Sequence, residues 1–149
     1  MTEIQYTAQL KGKLKLSKFG EWYHEGKIFE RKSLSDLFHR SIVWDENDKA
    51  YYVRLGAQQA TFDCEDTAFF VTDLRENNDV WEVVLAGGST EPLALQSLAV
   101  GAEGQIYCQV KGSHKARLRR GAHQQLMTFA EDEKTINLGG KKILIKKET

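Results

Sequence analysis

The sequence predicts an α+β fold made of two related β-rich halves, each with antiparallel hairpins and one helix. Three observations predict it. Residues 11–17 alternate strictly, with Gly12, Leu14 and Leu16 on one side and three lysines with Ser17 on the other, the period-2 pattern of a half-buried strand. Glycine-bearing turns at Phe19-Gly20, Gly87-Gly88-Ser89, Gly112-Ser113 and Gly139-Gly140 separate short apolar runs. The order hairpin, helix, hairpin occurs twice, around FERKSLSDLF (29–38) and LRRGAHQQLM (118–127). An offset of 89 residues places Arg31 on Arg120 and Leu37-Phe38 on Leu126-Met127, as a duplication would. The halves are drawn as 1–76 and 77–149.

Each element follows from its residues. Glu21-Trp22-Tyr23-His24 returns from the first turn as a second strand. Ser33 reads as a helix N-cap with Asp36 as its capping-box partner, and Leu34, Leu37, Phe38 and Ser41 share one helical face. Ile42-Val43-Trp44 and Tyr51 to Leu55 flank a polar turn and form a hairpin. After Gly56 a strand continues to Glu65, with Ala60, Phe62 and Cys64 on one face and Thr61, Asp63 and Glu65 on the other. Ala68 to Leu74 is apolar on both faces at its start, which predicts a central strand. Val80 to Leu85 is a strand, Leu93 to Leu95 a short return, and 96–104 a loop. Ile106 to Val110 and His114 to Leu118 form a hairpin that leads into the second helix near Arg120, with Ala122, Leu126, Phe129 and Ala130 facing inward. The chain closes with a hairpin of residues 135–138 and 141–147.

Composition narrows the function. A chain of 149 residues is long enough to bury a core without disulfides or metal. Cys64 and Cys108 sit in strand-like stretches and read as reduced thiols, with the flanking Asp63 and Glu65 raising the Cys64 pKa. The start, MTEIQYTAQLKG, lacks the basic head and apolar run of a signal peptide. No stretch approaches the roughly 18 apolar residues of a membrane span. These features predict a soluble, cytoplasmic protein with no membrane partner. The 21 basic and 21 acidic residues cancel, which argues against a nucleic-acid partner. Their distribution is uneven. Between Ala57 and Val110 the only base is Arg75, whereas from Gly104 to Ala130 there is no acid. Such a layout polarises the molecule.

Three groups are candidates for function. The basic stretch carries Lys111, Lys115, Arg117, Arg119 and Arg120 with His114 and His123. On a strand Lys115, Arg117 and Arg119 share a face, and guanidinium forks suit phosphate or carboxylate. Charge runs of this kind are also often solvated or internally paired. Asp63, Glu65 and Asp66 could serve acid–base or magnesium chemistry, but no nucleophile or phosphate loop accompanies them, so pairing with arginine is expected instead. Trp22, Tyr23, Trp44, Tyr51 and Tyr52 crowd the first half. Alternation sets Trp22 opposite Tyr23, so one ring of the pair can stack a ligand while the other joins the core. The sequence contains no phosphate-loop, zinc-protease, C-x-x-C or nucleophile-elbow motif. It predicts no metal and no cofactor.

The segments GEWYHEGKIFERKSLSDLF (20–38), YYVRLGAQQATFDCEDTAFFVTDL (51–74) and VKGSHKARLRRGAHQQL (110–126) resemble, in order and spacing, the bacterial domain-of-unknown-function family 1285. Trp22-Tyr23, Ile28, Arg31, Asp66 and Phe69 match the family pattern. Ala68 stands where proline is usual, Lys111 where arginine is expected, and 81–93 lacks a Thr-Asn-x-x-Asp stretch. The resemblance implies a duplicated core whose second half is loosely like pleckstrin-homology folds. It also implies a nucleotide-type ligand between the halves and a role in signal transduction.

Together these readings predict a non-enzymatic protein that binds an anionic, nucleotide-like small molecule. Arg31, Lys111, Arg117 and Arg120 would hold the anion, Trp22 or Tyr23 would stack on it, and Asp66 would orient Arg31 or Arg120. The alternative is a protein-interaction module that uses the polarised surface or a strand edge against a partner chain. A third option is an enzyme acting on a phosphorylated compound, with His114, His123 or Asp66 as base.

Overall fold

The computed structural model describes residues 10–148. Residues 1–9, which hold most of the stretch read as lacking a signal peptide, and residue 149 lie outside the described residues. The chain is α+β and divides into two units between Ala68 and Phe69. The sequence placed the boundary at 76/77. The structure moves it because β8 (Phe69–Asn77) is one continuous strand of the second unit's sheet.

In the first unit, β1 (Leu14–Leu16), β2 (Trp22–His24), β3 (Lys27–Ile28) and β7 (Asp63–Cys64) form a four-stranded sheet in the order β3-β2-β1-β7. β4 (Ile42–Asp45), β5 (Ala50–Leu55) and β6 (Gln58–Thr61) form a separate three-stranded sheet. The predicted strand through 57–65 is therefore two short strands in different sheets, interrupted at Phe62. Helix α1 (Lys32–Arg40) connects β3 to β4.

The core of this unit forms around Trp22. Its ring is fully buried and lies 5.0 Å from Phe62, 5.6 Å from Phe38 and 6.3 Å from Phe29, centroid to centroid. Leu34, Phe38 and His39 are the buried face of α1, at the spacing one side of a helix requires. His39 bonds the Gly20 carbonyl through Nε2 at 3.2 Å. The predicted Ser33 cap is not used. The helix begins two residues earlier, Arg31 is the N-cap without a side-chain bond, and Asp36 pairs with Lys32 at 2.7 Å.

The second unit holds a seven-stranded sheet in the order β10-β9-β8-β13-β12-β11-β16. Its strands are β8, β9 (Val80–Leu85), β10 (Thr90–Pro92), β11 (Ala99–Val100), β12 (Ile106–Val110), β13 (His114–Leu118) and β16 (Lys146–Lys147). β8 lies inside the sheet with Phe69, Phe70 and Val71 buried, as its doubly apolar start predicts. Three elements depart from the reading. The short return expected at Leu93 to Leu95 lies earlier, as β10, and Leu95–Ser97 is a single 3-10 turn. Part of the expected loop 96–104 pairs as β11, and the last hairpin splits into β14 (Thr135–Leu138), β15 (Lys141–Leu144) and β16, which joins β11 in parallel.

Helix α2 (Arg120–Met127) buries Ala122 and Leu126. It ends before Phe129 and Ala130, which are half-buried and exposed. Both helices are capped by an arginine in extended conformation, Arg31 and Arg119. Aligning the caps gives an offset of 88, not 89, and sets buried Leu34 on Ala122 and Phe38 on Leu126. Both offsets match arginine to arginine, because Arg119 and Arg120 are adjacent, so residue identity did not choose between them and the caps do.

Gln125 fastens α2 to β8. Its amide accepts from the Leu74 N–H at 3.0 Å and donates to the Leu74 carbonyl at 3.3 Å, beside a bulge between Val71 and Asp73. The same Gln125 side chain, with Arg75, holds the Asp73 carboxyl below its ordinary range.

These contacts set the following stability outcomes. Trp22→Ala costs about 3–5 kcal/mol in denaturant unfolding followed by circular dichroism. Trp22→Phe costs far less, because the buried indole Nε1–H has no hydrogen-bond partner and that desolvation penalty leaves with it. Gln125→Ala costs about 1–3 kcal/mol. The lowered Asp73 pKa contributes stability that is full above the unfolded carboxylate range and is lost as pH falls through the folded value. The Tm advantage of wild type over Asp73→Asn is therefore present at pH 7 and shrinks below about pH 4.

Candidate functional site

Alternation on β1 and β2 sorts the first unit's side chains. Leu16 pairs with Trp22 on the inner face, so Lys15, paired with Tyr23, faces outward. Ile28 and Asp63 extend the outer row to Ile28–Tyr23–Lys15–Asp63. Above this row lies a cleft of about 560 Å³ lined by Lys13, Lys15, Lys18, Phe19, Tyr23 and Glu65, with Ser17 and Glu21. The volume is in the range of small-molecule sites.

The cleft brings three lysines together with two carboxylates, Glu21 and Glu65. Glu65, which could neutralise a lysine, accepts from the Lys18 backbone N–H at 2.7 Å. Glu25 accepts from the Lys13 backbone N–H at 2.6 Å. No ion pair is formed by Lys13, Lys15 or Lys18 among the described residues. Three ammonium groups around one concave surface attract an anion, and lysine does so as a point charge without a fixed fork. Glu65 thus has a structural task that the sequence did not reveal. The predicted outward strand face of acids becomes a parallel pairing of β7 with β1 and a carboxylate clamp on the next turn.

The structure distributes the sequence-derived candidates as follows. Tyr23 is half-buried in the cleft wall. Trp22 has no face left for stacking, since its ring is fully enclosed; of the pair, Tyr23 is the ring on the outer side. Arg31 is exposed at the α1 cap, where its carbonyl accepts from Leu34 and Ser35. Asp66 is half-buried beside Cys64. Burial, and next the Asp66 charge, push the Cys64 thiol up to about 11, although the Asp66 backbone N–H acts against them. The raised pKa was expected, but its main cause is desolvation and not the flanking Asp63 and Glu65.

In the second unit the cations do not converge. Arg117 pairs in register with Phe70, and Ala116 with Phe69, so the two phenyl rings lie on opposite faces of the sheet. Lys111 reaches over Phe69, with Nζ 5.6 Å from the ring centroid, whereas Arg117 projects from the other face. Lys115 lies 4.0 Å from the Tyr107 ring centroid and pairs with Glu148 at 2.5 Å. Arg120 is the exposed first residue of α2. Burial, with the Arg117 charge, lowers the His123 pKa. Cys108 is buried and its thiol is pushed up to about 12.

Lys13, Lys15, Lys18, Phe19 and Glu65 are absent from the sequence-derived site. The available signal was the alternation of residues 11–17, which places lysines on one side but does not distinguish a solvated face from the floor of a cleft. Among the described residues no group of three or more His, Cys, Asp or Glu could hold a metal ion, and no helix is long and apolar enough to cross a membrane.

Two solved structures share this architecture. A DUF1285 family protein from Silicibacter pomeroyi aligns with a TM-score of 0.65 at 17% identity, over 91% of this chain and 82% of that one. The chain resembles the DUF1285 family in fold. A second DUF1285 family protein, from Shewanella baltica, aligns with a TM-score of 0.61 at 12% identity, over 79% of this chain and 92% of that one. No protein-family model and no curated protein matches the sequence. The resemblance carried by residues 20–38, 51–74 and 110–126 is thus matched in three dimensions.

With a thiol pKa near 11, only about one Cys64 in a thousand is thiolate at pH 8. Iodoacetamide labelling of Cys64 at pH 8 is expected to be far slower than that of free cysteine and to rise about tenfold per pH unit up to pH 10. Cys64 is exposed, so access does not limit the reaction and a rate equal to free cysteine would contradict the raised pKa.

Proposed function

We propose that the protein binds an anionic, nucleotide-like small molecule without transforming it, and that the cleft of the first unit is where the anion sits. The observation that carries this reading is the set Lys13, Lys15 and Lys18, none in an ion pair among the described residues, around a cavity of about 560 Å³ with Tyr23 in its wall. Phosphate and carboxylate ligands gain charge-assisted hydrogen bonds from ammonium groups, and an aromatic ring beside them offers a stacking surface. One of the two carboxylates in the cleft, Glu65, is engaged with a backbone N–H, and a group so held is poorly placed to act as a general base.

A role in signal transduction, with the second unit as a pleckstrin-homology-like module, belongs to the same proposal. Its support is a largely antiparallel sheet with one helix fastened to it by Gln125. The protein-interaction alternative has less behind it. The edge strands of the seven-stranded sheet carry Pro92 on β10 and two exposed lysines on β16, devices that discourage pairing with another chain.

A thermal-shift panel of phosphorylated and carboxylated compounds tests the proposal. Ligands that fill the cleft raise Tm in a concentration-dependent way, and the double variant Lys13→Glu/Lys15→Glu abolishes the shift while keeping the unliganded Tm within a few degrees. Stabilisation that survives the double variant, or none by any anion, would sink it.

A further inference from the structure

The lysine cleft holds one carboxylate that is not a backbone clamp. Glu21 lines it together with Lys13, Lys15, Lys18 and Glu65. Its main chain is pinned to Ser17: the Glu21 N–H donates to the Ser17 hydroxyl oxygen at 3.1 Å, and the Glu21 carbonyl accepts from the Ser17 N–H at 2.9 Å. Both bonds are made by the backbone. The side-chain carboxylate has no hydrogen bond and no ion pair among the described residues, although three lysines line the same cavity. Glu65 differs, because its carboxylate is taken by the Lys18 N–H.

Register fixes where this carboxylate stands. Trp22 points inward, so its neighbours Glu21 and Tyr23 both face the cleft. Lys15 lies directly across from Tyr23, and Ser17 across from Glu21. Lys18 follows Ser17 in the turn, with its Nζ 5.4 Å from the Phe19 ring centroid and not on Glu21. Lys13 and Lys15 thus stand at one end of the row and Glu21 at the other, four residues along from Lys13, or about 13 Å on an extended strand. A nucleoside diphosphate fits that span with its phosphates toward Lys13 and Lys15 and its base toward Tyr23 and Glu21. A carboxylate repels phosphate, so it adds nothing to a site for an inorganic anion alone. It is an acceptor only, and its two oxygens suit two parallel N–H donors. Guanine presents such a pair, N1–H beside the 2-amino group, on one edge. Adenine and cytosine set one amino donor beside a ring-nitrogen acceptor, and uracil has one N–H between two carbonyls. We propose that Glu21 is a specificity-determining residue of the cleft, its carboxylate accepting from the N1–H and the 2-amino group of a guanine nucleotide. The inference rests on the anion-binding reading of the cleft and names the class of base.

The test is titration calorimetry of the full chain with guanosine, inosine and adenosine diphosphates and inorganic pyrophosphate. Wild type is expected to bind the guanine nucleotide about tenfold or more tightly than the adenine one, the scale of one bidentate pair of hydrogen bonds. The inosine nucleotide, which keeps N1–H and lacks the 2-amino group, falls between them. Glu21→Gln leaves both main-chain bonds to Ser17 and the Tm in place, and brings the guanine and adenine affinities together. It also removes a negative charge, so pyrophosphate binds the variant at least as tightly as wild type. Equal guanine and adenine affinities in wild type, or a ratio unmoved by Glu21→Gln, overturns the Glu21 inference while leaving anion binding in place. Binding of pyrophosphate alone does the same. Binding of none of the four overturns both.

Discussion

Enclosure of Trp22 behind Leu16 is the constraint on which the first unit depends. A strand has only two faces. Once Leu14, Leu16 and Trp22 are committed to the interior, Lys13, Lys15 and Tyr23 must share the opposite one. A one-residue slip of β1 would drive Lys15 inward and bring Leu14 and Leu16 out, and a buried ammonium without a partner is among the costliest errors a core can contain. The aromatic packing of Trp22 with Phe29, Phe38 and Phe62 therefore sets the positions of the cationic side chains in the cleft.

The same two-sidedness explains why the most conspicuous basic stretch does not gather into one cluster. Lys111 to Arg120 reads in one dimension as a block. Folded into a hairpin and a helix start, it sends Lys111 over Phe69 and Arg117 to the face of Phe70. Lys115 is already engaged by Tyr107 and Glu148. Charge density along a chain becomes charge density in space only when neighbours share a face, and a turn followed by a helix breaks that condition.

Carboxylates in the first unit act as backbone clamps. Glu25 and Glu65 each accept from a main-chain N–H next to a lysine, and that choice leaves the ammonium groups without an ion pair. Hydrogen bonds to a charged acceptor are stronger than neutral ones, so each clamp both orders the turn it holds and withdraws a negative oxygen from the nearest cation. The cleft therefore combines an ordered rim with three lysines that form no ion pair among the described residues.

The sequence by itself determined the strands whose residues alternate and the interior place of β8, because periodicity and apolar runs are local properties. It also determined the two-helix α+β plan, and the resemblance on residues 20–38, 51–74 and 110–126 pointed to the architecture seen in both DUF1285 proteins. By the same alternation it set Trp22 and Tyr23 on opposite faces, and the structure decided that Tyr23 is the outer one. The tertiary structure alone decided that Phe62 interrupts a strand to join the Trp22 cluster, that Glu65 reaches back to Lys18 across 47 residues, and that β16 returns to β11. Those contacts join residues far apart along the chain, so no local periodicity encodes them. That the lysine face floors a cleft was invisible for the same reason: a cleft is made by what stands around a strand, and the strand's own pattern reads the same with or without it.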